Sequence, residues 1–262
     1  MFDAHLHLRD ARIIPYHERF VKEAIEAGVT AAISCASRPE EWCLQVDCAM
    51  EIYNAYGVHP WFAGVLIPDW KAYLSAILDR DEQALIGEIG IDGIRSVSDG
   101  GAMQRALLSE QLDLARHYQR PVILHGARAW SFLFQAIETK ISHLPALMLH
   151  GASFAVEMLQ MPIFKHQNIW FSVGNSLLSS KAESFSTFIQ ALPLNRLLIE
   201  TDAPDMFPRG GEPLVLGQPH ALYNHPGNLH YVLEAIARLR AIPVEELAQI
   251  TEANARAFIA AR

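Results

Sequence analysis

Eight short apolar runs alternate along this chain with stretches whose apolar residues recur at helical spacing, and no other feature restricts its fold as much. Strands separated each time by a helical segment pair in parallel, because the crossover returns the chain to the same end of the sheet. The pattern predicts strands at 2–7, 29–34, 53–58, 84–88, 121–125, 146–150, 168–173 and 197–201. Between the first two, Phe20, Val21, Ala24 and Ile25 form an apolar helical face opposite Glu18, Lys22 and Glu26, and Gly28 ends the helix. Leu107, Leu108, Leu112 and Ala115, and later Val232, Leu233 and Ile236, repeat the pattern. Eight such units in 262 residues match one (β/α)8 TIM barrel of roughly 250 residues. The expected fold is therefore an α/β barrel spanning 1–262 as one domain, with an additional C-terminal helix beginning near Pro243.

Composition narrows the function. A hydrophobic content of 51% supplies a large core, and a net charge of −8 provides no general basic field for gripping polyphosphate. Cys35, Cys43 and Cys48 form no C-x-x-C pair and are expected to be buried thiols in a reducing compartment. No basic stretch followed by a long apolar segment opens the chain, and no apolar run nears the roughly 18 residues that span a bilayer. A soluble cytoplasmic protein is expected, with no membrane association and no required protein partner. Residues 203–226 hold five prolines and three glycines, a loop expected to form part of a substrate mouth.

The opening Asp3-Ala4-His5-Leu6-His7 puts two imidazoles on one face of a strand, since strand side chains alternate with period two. Taken alone, such a pair is as often bonded to backbone or water as to a metal. His59, Glu88, His125, His150 and Asp202 each stand at or just beyond the end of another apolar run. A parallel barrel points all its strand ends at one face, so residues distant in sequence converge there. Singly, His125 and His150 read equally well as core histidines, and Asp202 as a turn residue before Pro204. A lone Glu88 near the barrel interior would be costly unless paired or bound to an ion. Together, five histidines and two carboxylates suit two divalent ions sharing a bridging group, with Zn²⁺, Mg²⁺ and Mn²⁺ all compatible. Serine-nucleophile elbows, Walker-type loops and a dinucleotide-binding fingerprint after the first strand are absent from the sequence.

In their order along the chain, Asp3–His7, Gly57-Val58-His59-Pro60, Gly87-Glu88-Ile89-Gly90-Ile91-Asp92, His125, His150, Leu198–Pro204 and Asn254 resemble the TatD family of metal-dependent hydrolases, within the amidohydrolase-like barrels. The resemblance implies that His5, His7 and Asp202 hold one ion, that His125 and His150 hold a second, and that Glu88 bridges them. It implies hydrolysis by a metal-activated water, with Asp202 as proton acceptor and Glu88 as the other catalytic carboxylate. His59, Arg128 and Asn224 are the expected substrate contacts.

Several positions depart from the family pattern. Ala127 stands where an arginine is usual and Arg128 follows it; the customary His-Cys-Phe-x-Gly reads His150-Gly151-Ala152-Ser153-Phe154; and Arg-Asn-Glu-Pro reads Tyr223-Asn224-His225-Pro226. These changes predict an altered pocket wall and rim. Arg9, Arg95, Arg128 and Arg209 are the remaining candidate phosphate contacts. The leading expectation is a metal-dependent phosphodiesterase trimming DNA ends or a small phosphodiester, of the 3′ exodeoxyribonuclease type. A hydrolase of a small ester, amide or lactone is the alternative, and a non-catalytic barrel is disfavoured by the intact donor set.

Overall fold

The computed structural model describes residues 1–46, 48–95, 101–178, 183–208 and 223–262. Eight parallel strands pair in sequence order: β1 (Phe2–Leu6), β2 (Ala31–Ala36), β3 (Glu51–Tyr56), β4 (Leu85–Gly90), β5 (Val122–His125), β6 (Leu147–Leu149), β7 (Ile169–Val173) and β8 (Leu197–Ile199). Each lies within three residues of its predicted bounds. Most are buried along their whole length, as expected of strands covered by helices outside and by one another inside. The helices are α1 (His17–Glu26), α2 (Pro39–Trp42), α3 (Trp70–Arg80), α4 (Ala102–Tyr118), α5 (Trp130–Ile137), α6 (Glu183–Ala191), α7 (Leu229–Arg240) and α8 (Val244–Ala260). Among the described residues no helix is long and apolar enough to cross a membrane.

The predicted helical faces at 107–115 and 232–236 are buried as read, but Ile25 is 36% exposed and only Phe20, Val21 and Ala24 face inward from α1. Two crossovers depart from a regular barrel: α2 is a single turn, and β6 connects to β7 through 3₁₀ turns alone. On the outer face of β2 and β3, Ser34 and Asn54 interrupt the apolar Ala32, Ala36 and Ile52, and Arg9 packs against them. Its guanidinium donates to Leu44 O at 2.7 Å, Asn54 Oδ1 at 2.8 Å and Ser34 Oγ at 3.4 Å. Arg9 is 4% exposed, so the expectation that it contacts phosphate fails because its donors are spent on the barrel wall. Of the cysteines only Cys35 is buried; Cys43 is exposed and Cys48 is half-buried.

The barrel interior is narrow and closed at its amino-terminal end. Phe2, Ile33, Leu85, Ile123, Met148 and Leu198 fill it, and Ala255, Phe258 and Ile259 of α8 pack against them as a stopper. Asn254 locks α8 in place by donating to Leu194 O and Leu197 O at the start of β8. At the opposite end, β1 and the segment after β8 meet through Asp202 N to His5 O at 3.0 Å and His7 N to Ala203 O at 2.8 Å. The buried Asp3 carboxylate reinforces this seam, accepting from Thr201 Oγ1 at 2.5 Å, Thr201 N at 3.1 Å and His5 N at 3.2 Å. The residues that close the barrel are thus the neighbours of His5, His7 and Asp202.

Candidate metal centre

Glu88 lies inside β4, not at its end, and projects between five imidazoles. Gly90 makes this approach possible. It adopts φ +151°, and a Cβ there would fall 2.0 Å from His125 O, so only glycine lets β4 close on β5 at this level. The two oxygens of Glu88 face different histidines. Oε2 stands 3.4 Å from His5 Nε2 and 3.6 Å from His7 Nε2. Oε1 stands 2.6 Å from His125 Nδ1, 3.5 Å from His150 Nε2 and 3.6 Å from His59 Nε2.

The first set has the shape of a coordination shell. His5 Nε2, His7 Nε2 and Asp202 Oδ1 are separated by 3.2, 3.3 and 3.5 Å, and Glu88 Oε2 completes the group. A tetrahedron with bonds of about 2.0–2.1 Å has edges of about 3.3–3.4 Å, so these donors fit a Zn²⁺-sized ion. The second set gathers Glu88, His125 and His59 donors within 4.8 Å of one another, and His5, His150 and Asp202 form another such group.

The outer nitrogen of each ring decides which nitrogen can face an ion. His7 Nδ1 lies 3.2 Å from Cys35 O, and His5 Nδ1 lies 3.3 Å from Cys35 Sγ. His150 Nδ1 is 2.8 Å from Glu200 Oε1, which also accepts from Gly151 N, and His125 Nε2 is 3.1 Å from Asp92 Oδ2. For His7, His150 and His125, whose outer partners are oxygen acceptors, this leaves the inward nitrogen with a lone pair for a cation. His59 is the reverse case. Its Nδ1 accepts from Trp61 N at 3.2 Å, so its neutral ring carries hydrogen on Nε2 and presents a donor to the centre. Burial lowers its pKa and keeps it neutral, despite the opposing pull of Glu88.

Ionisation follows the same geometry. Burial opposes charge on His7, but Asp202 and Glu88 overcome it and raise its pKa to about 9. His125 likewise rises to about 9 against its burial, through Glu88 and Asp92, and His150 to about 10 through Glu200, Glu88 and Asp202. His5 is lowered, first by burial and then by His150. Burial pushes the Glu88 and Asp202 carboxyls up, but the surrounding imidazoles hold both below the usual carboxylate range. In chelated protein, therefore, protons occupy the places that cations would take. Folded pKa values raised above the ordinary 6.5 stabilise the fold fully below that pH and lose the effect as pH rises through 9 to 10. Metal-free protein is expected to lose about 5 °C in Tm between pH 7 and 10 on this account. Metal-loaded protein should lose less, and differential scanning calorimetry with and without chelator measures the contrast.

The carboxylates behind the ring, Glu200 and Asp92, carry no distinct periodicity, and only the tertiary contacts expose their role. Glu200→Gln is expected to weaken retention of bound metal by about tenfold, read by competition with a chromophoric chelator. An unchanged affinity would show that Gly151 and the strand alone orient His150.

Two connected cavities open over the centre. The larger, about 480 Å³, includes His7, His59, Trp61, Glu88, His125 and Asp202; a branch of about 180 Å³ runs past Ala127 and Trp130 toward Asn175 and Ser176. A groove of about 630 Å³ beside α1, around Arg9 and His17, contains none of these donors. Asn224, expected to touch substrate, is fully buried. Its Nδ2 donates to Thr201 O, and its Oδ1 accepts from His225 N and Asn228 Nδ2, so it holds the segment after β8 instead. Arg128 is exposed at φ +50° and lines neither cavity, because Ala127 takes the inward position. Arg209 lies outside the described residues, as does most of the 203–226 loop. Phe154 does not form a pocket wall; it packs behind β6 against Trp130, Phe134, Phe164 and Phe188. Tyr223 lies under Arg12, whose guanidinium ties Asp10 to Asp205 across the mouth.

The profile of the family described as TatD related DNase matches residues 2–260. The chain is 32% identical over 260 residues to the uncharacterized metal-dependent hydrolase YjjV of Escherichia coli K12, covering 94% of this chain and 93% of that protein. It is 28% identical over 266 residues to the 3′-5′ ssDNA/RNA exonuclease TatD of Erwinia amylovora, covering 98% and 99%. The crystal structure of YjjV superposes with a TM-score of 0.81 at 29% identity, covering 98% of this chain and 97% of the other.

Proposed function

Given that the chain belongs to the TatD-related DNase family, we propose that it is a hydrolase using two divalent ions, Zn²⁺, Mg²⁺ or Mn²⁺, to cut phosphodiesters at the 3′ end of single-stranded nucleic acid. The observation that carries this reading is the division of the imidazoles between the two oxygens of Glu88. In this assignment His5, His7 and Asp202 would hold one ion, His125 and His150 would hold the other, and Glu88 would serve both. Bound there, the cations would lower the pKa of an attacking water and neutralise charge on the phosphoryl oxygens.

The residues of the chain supply the rest. Asp202 is 18% exposed through its side chain and faces the cavity, where its carboxylate can orient a water and accept its proton. Its backbone, in the left-handed region at φ +58°, is held by its bond to His5 O and by Asp205 N donating to its own carbonyl. His59 donates from Nε2 to a phosphoryl oxygen, a hydrogen bond that strengthens as negative charge develops there. Asp92 and Glu200 orient His125 and His150, while Asn224 keeps the Asp202 segment in place. The barrel acts as one domain over 1–262, and its sparse cysteines, with no C-x-x-C pair, support a cytoplasmic setting.

Ala127 and the small branch beside it favour a second reading, hydrolysis of a small ester or lactone, because among the described residues no arginine or lysine lines that branch. Elemental analysis of purified protein, followed by assays on single-stranded DNA and RNA, duplex DNA, a small phosphodiester and a panel of esters and lactones, separates the two. Release of mononucleotides from 3′ ends is the expected result; rapid ester or lactone turnover without phosphodiester cleavage would replace it.

A further inference from the structure

The loop after β3 folds into a 3₁₀ turn, Pro60–Phe62, that sets two aromatic rings in succession on the lip of the larger cavity. Each ring lies beneath a guanidinium. Arg95 Cζ is 3.7 Å from the centroid of Trp61, and Arg38 Cζ is 5.4 Å from that of Phe62. Trp61 is 45% exposed, yet its ring is fixed: Nε1 donates to Asp92 Oδ2 at 2.5 Å, and His59 meets it edge to face at 4.7 Å. Ile94, 62% exposed, continues the same side of the mouth. A rigid, wet indole contributes little to a core. It does offer a pre-ordered π surface, and Arg95 stacked on it can turn its N–H edge to an anionic oxygen; Arg38 already donates from Nε to Glu41 Oε1 at 3.0 Å, which leaves only its terminal nitrogens for one.

The opposite side of the mouth differs in kind. The branch past Ala127 is lined by Trp130, Asn175, Ser176 and Met206, and no arginine or lysine among the described residues faces it. The β2–β4 side of the centre thus carries the exposed Trp61 with Arg95 and the half-buried Phe62 with Arg38, whereas Arg12, on the loop after β1, is tied to Asp10 and Asp205. We propose that Trp61 and Phe62, with Arg95 and Arg38, seat the single-stranded polynucleotide that leads away from the scissile phosphate. A base stacks on the part of the Trp61 ring that Arg95 leaves exposed, and backbone phosphates meet the guanidinium edges. The released terminal unit occupies the cation-free branch. Every base has a π face, so such a seat tolerates sequence; a duplex hides those faces, so the seat selects single strands. This assignment rests on the nucleic-acid reading above and adds to it the side of the mouth by which the strand leaves and the residues that seat it.

The test compares KM and kcat for a single-stranded DNA decamer and for bis(p-nitrophenyl) phosphate, a diester too small to span the mouth, in wild type, Trp61→Leu, Trp61→Phe and Arg95→Ala. Fluorescence anisotropy with a phosphorothioate decamer measures binding independently of turnover. Trp61→Leu is expected to raise the decamer KM about tenfold more than that of the small diester. Trp61→Phe, which keeps a flat ring, should recover most of this difference, and Arg95→Ala should raise the decamer KM severalfold and flatten its salt dependence. If the variants change both substrates by the same factor, the seat is refuted while the hydrolase assignment stands. If wild type turns over neither diester, the hydrolase assignment fails, and anisotropy decides the seat. Preference for single strand over duplex that disappears in Trp61→Leu supports it, and absence of any preference overturns it.

Discussion

Glu88→Gln is expected to reduce turnover by about three orders of magnitude, some 4 kcal/mol of barrier, while the protein stays folded. Each oxygen of Glu88 serves a different group of imidazoles, at 3.4 and 3.6 Å on one side and 2.6 to 3.6 Å on the other. An amide keeps the shape but carries no charge, and it turns one of its two faces into a donor that repels a cation. The variant should therefore retain about one equivalent of metal in place of two, and elemental analysis after gel filtration measures this. Chelated variant and chelated wild type should differ in stability as well, because the charge holding His125 and His150 protonated has gone. Two equivalents of metal together with wild-type turnover would remove Glu88 from the bridging position.

Asp202→Asn tests the proton acceptor. The carboxylate lies 3.3 Å from His7 and 3.5 Å from His5 and reaches the cavity, so in the proposed reaction it would both complete the first donor set and accept the proton of the attacking water. General-base catalysis is worth about 10²–10⁴-fold, and a loss of kcat at the upper end of that range is expected, with a smaller effect on KM. The neighbouring imidazoles hold this carboxyl below its ordinary range. It consequently remains ionised at neutral pH, and the acidic limb of the wild-type rate profile should fall only where Asp202 begins to take up a proton. The Asn variant should lack that limb. A variant that keeps it, or keeps kcat, would assign proton acceptance to another group.

Asp202 also shows how the barrel and the site depend on each other. Its amide nitrogen donates to His5 O, its neighbour Ala203 accepts from His7 N, and Asp3 clamps Thr201 from below. Burial raises the Asp3 carboxyl to about 7, even though Thr201 and His5 donate to it. The closing seam of the sheet is thus built from the same short segments that present the first donor set, and a change that loosens the seam displaces the donors with it.

Sequence alone determined the architecture, because the eight strands stand out as short apolar runs and several of the helices between them show a local period. The runs at 121–125, 168–173 and 197–201 needed only their apolar continuity to be placed, and strand ends in a parallel barrel must converge. That His5, His7, Glu88, His125, His150 and Asp202 come together was legible for the same reason. Tertiary structure decided everything that depends on contacts across strands. Nothing local distinguishes Asn224, buried against Thr201, from a residue open to substrate, or Arg9, spent on Leu44 and Asn54, from a cation at the mouth. Nor does local pattern reveal that Asp92 and Glu200 set the inward nitrogens of His125 and His150, or that a backbone N–H turns His59 into a donor. Periodicity reports which face of an element is buried. The protonated nitrogen of a ring and the partner of a guanidinium are fixed by atoms that folding brings from tens of residues away.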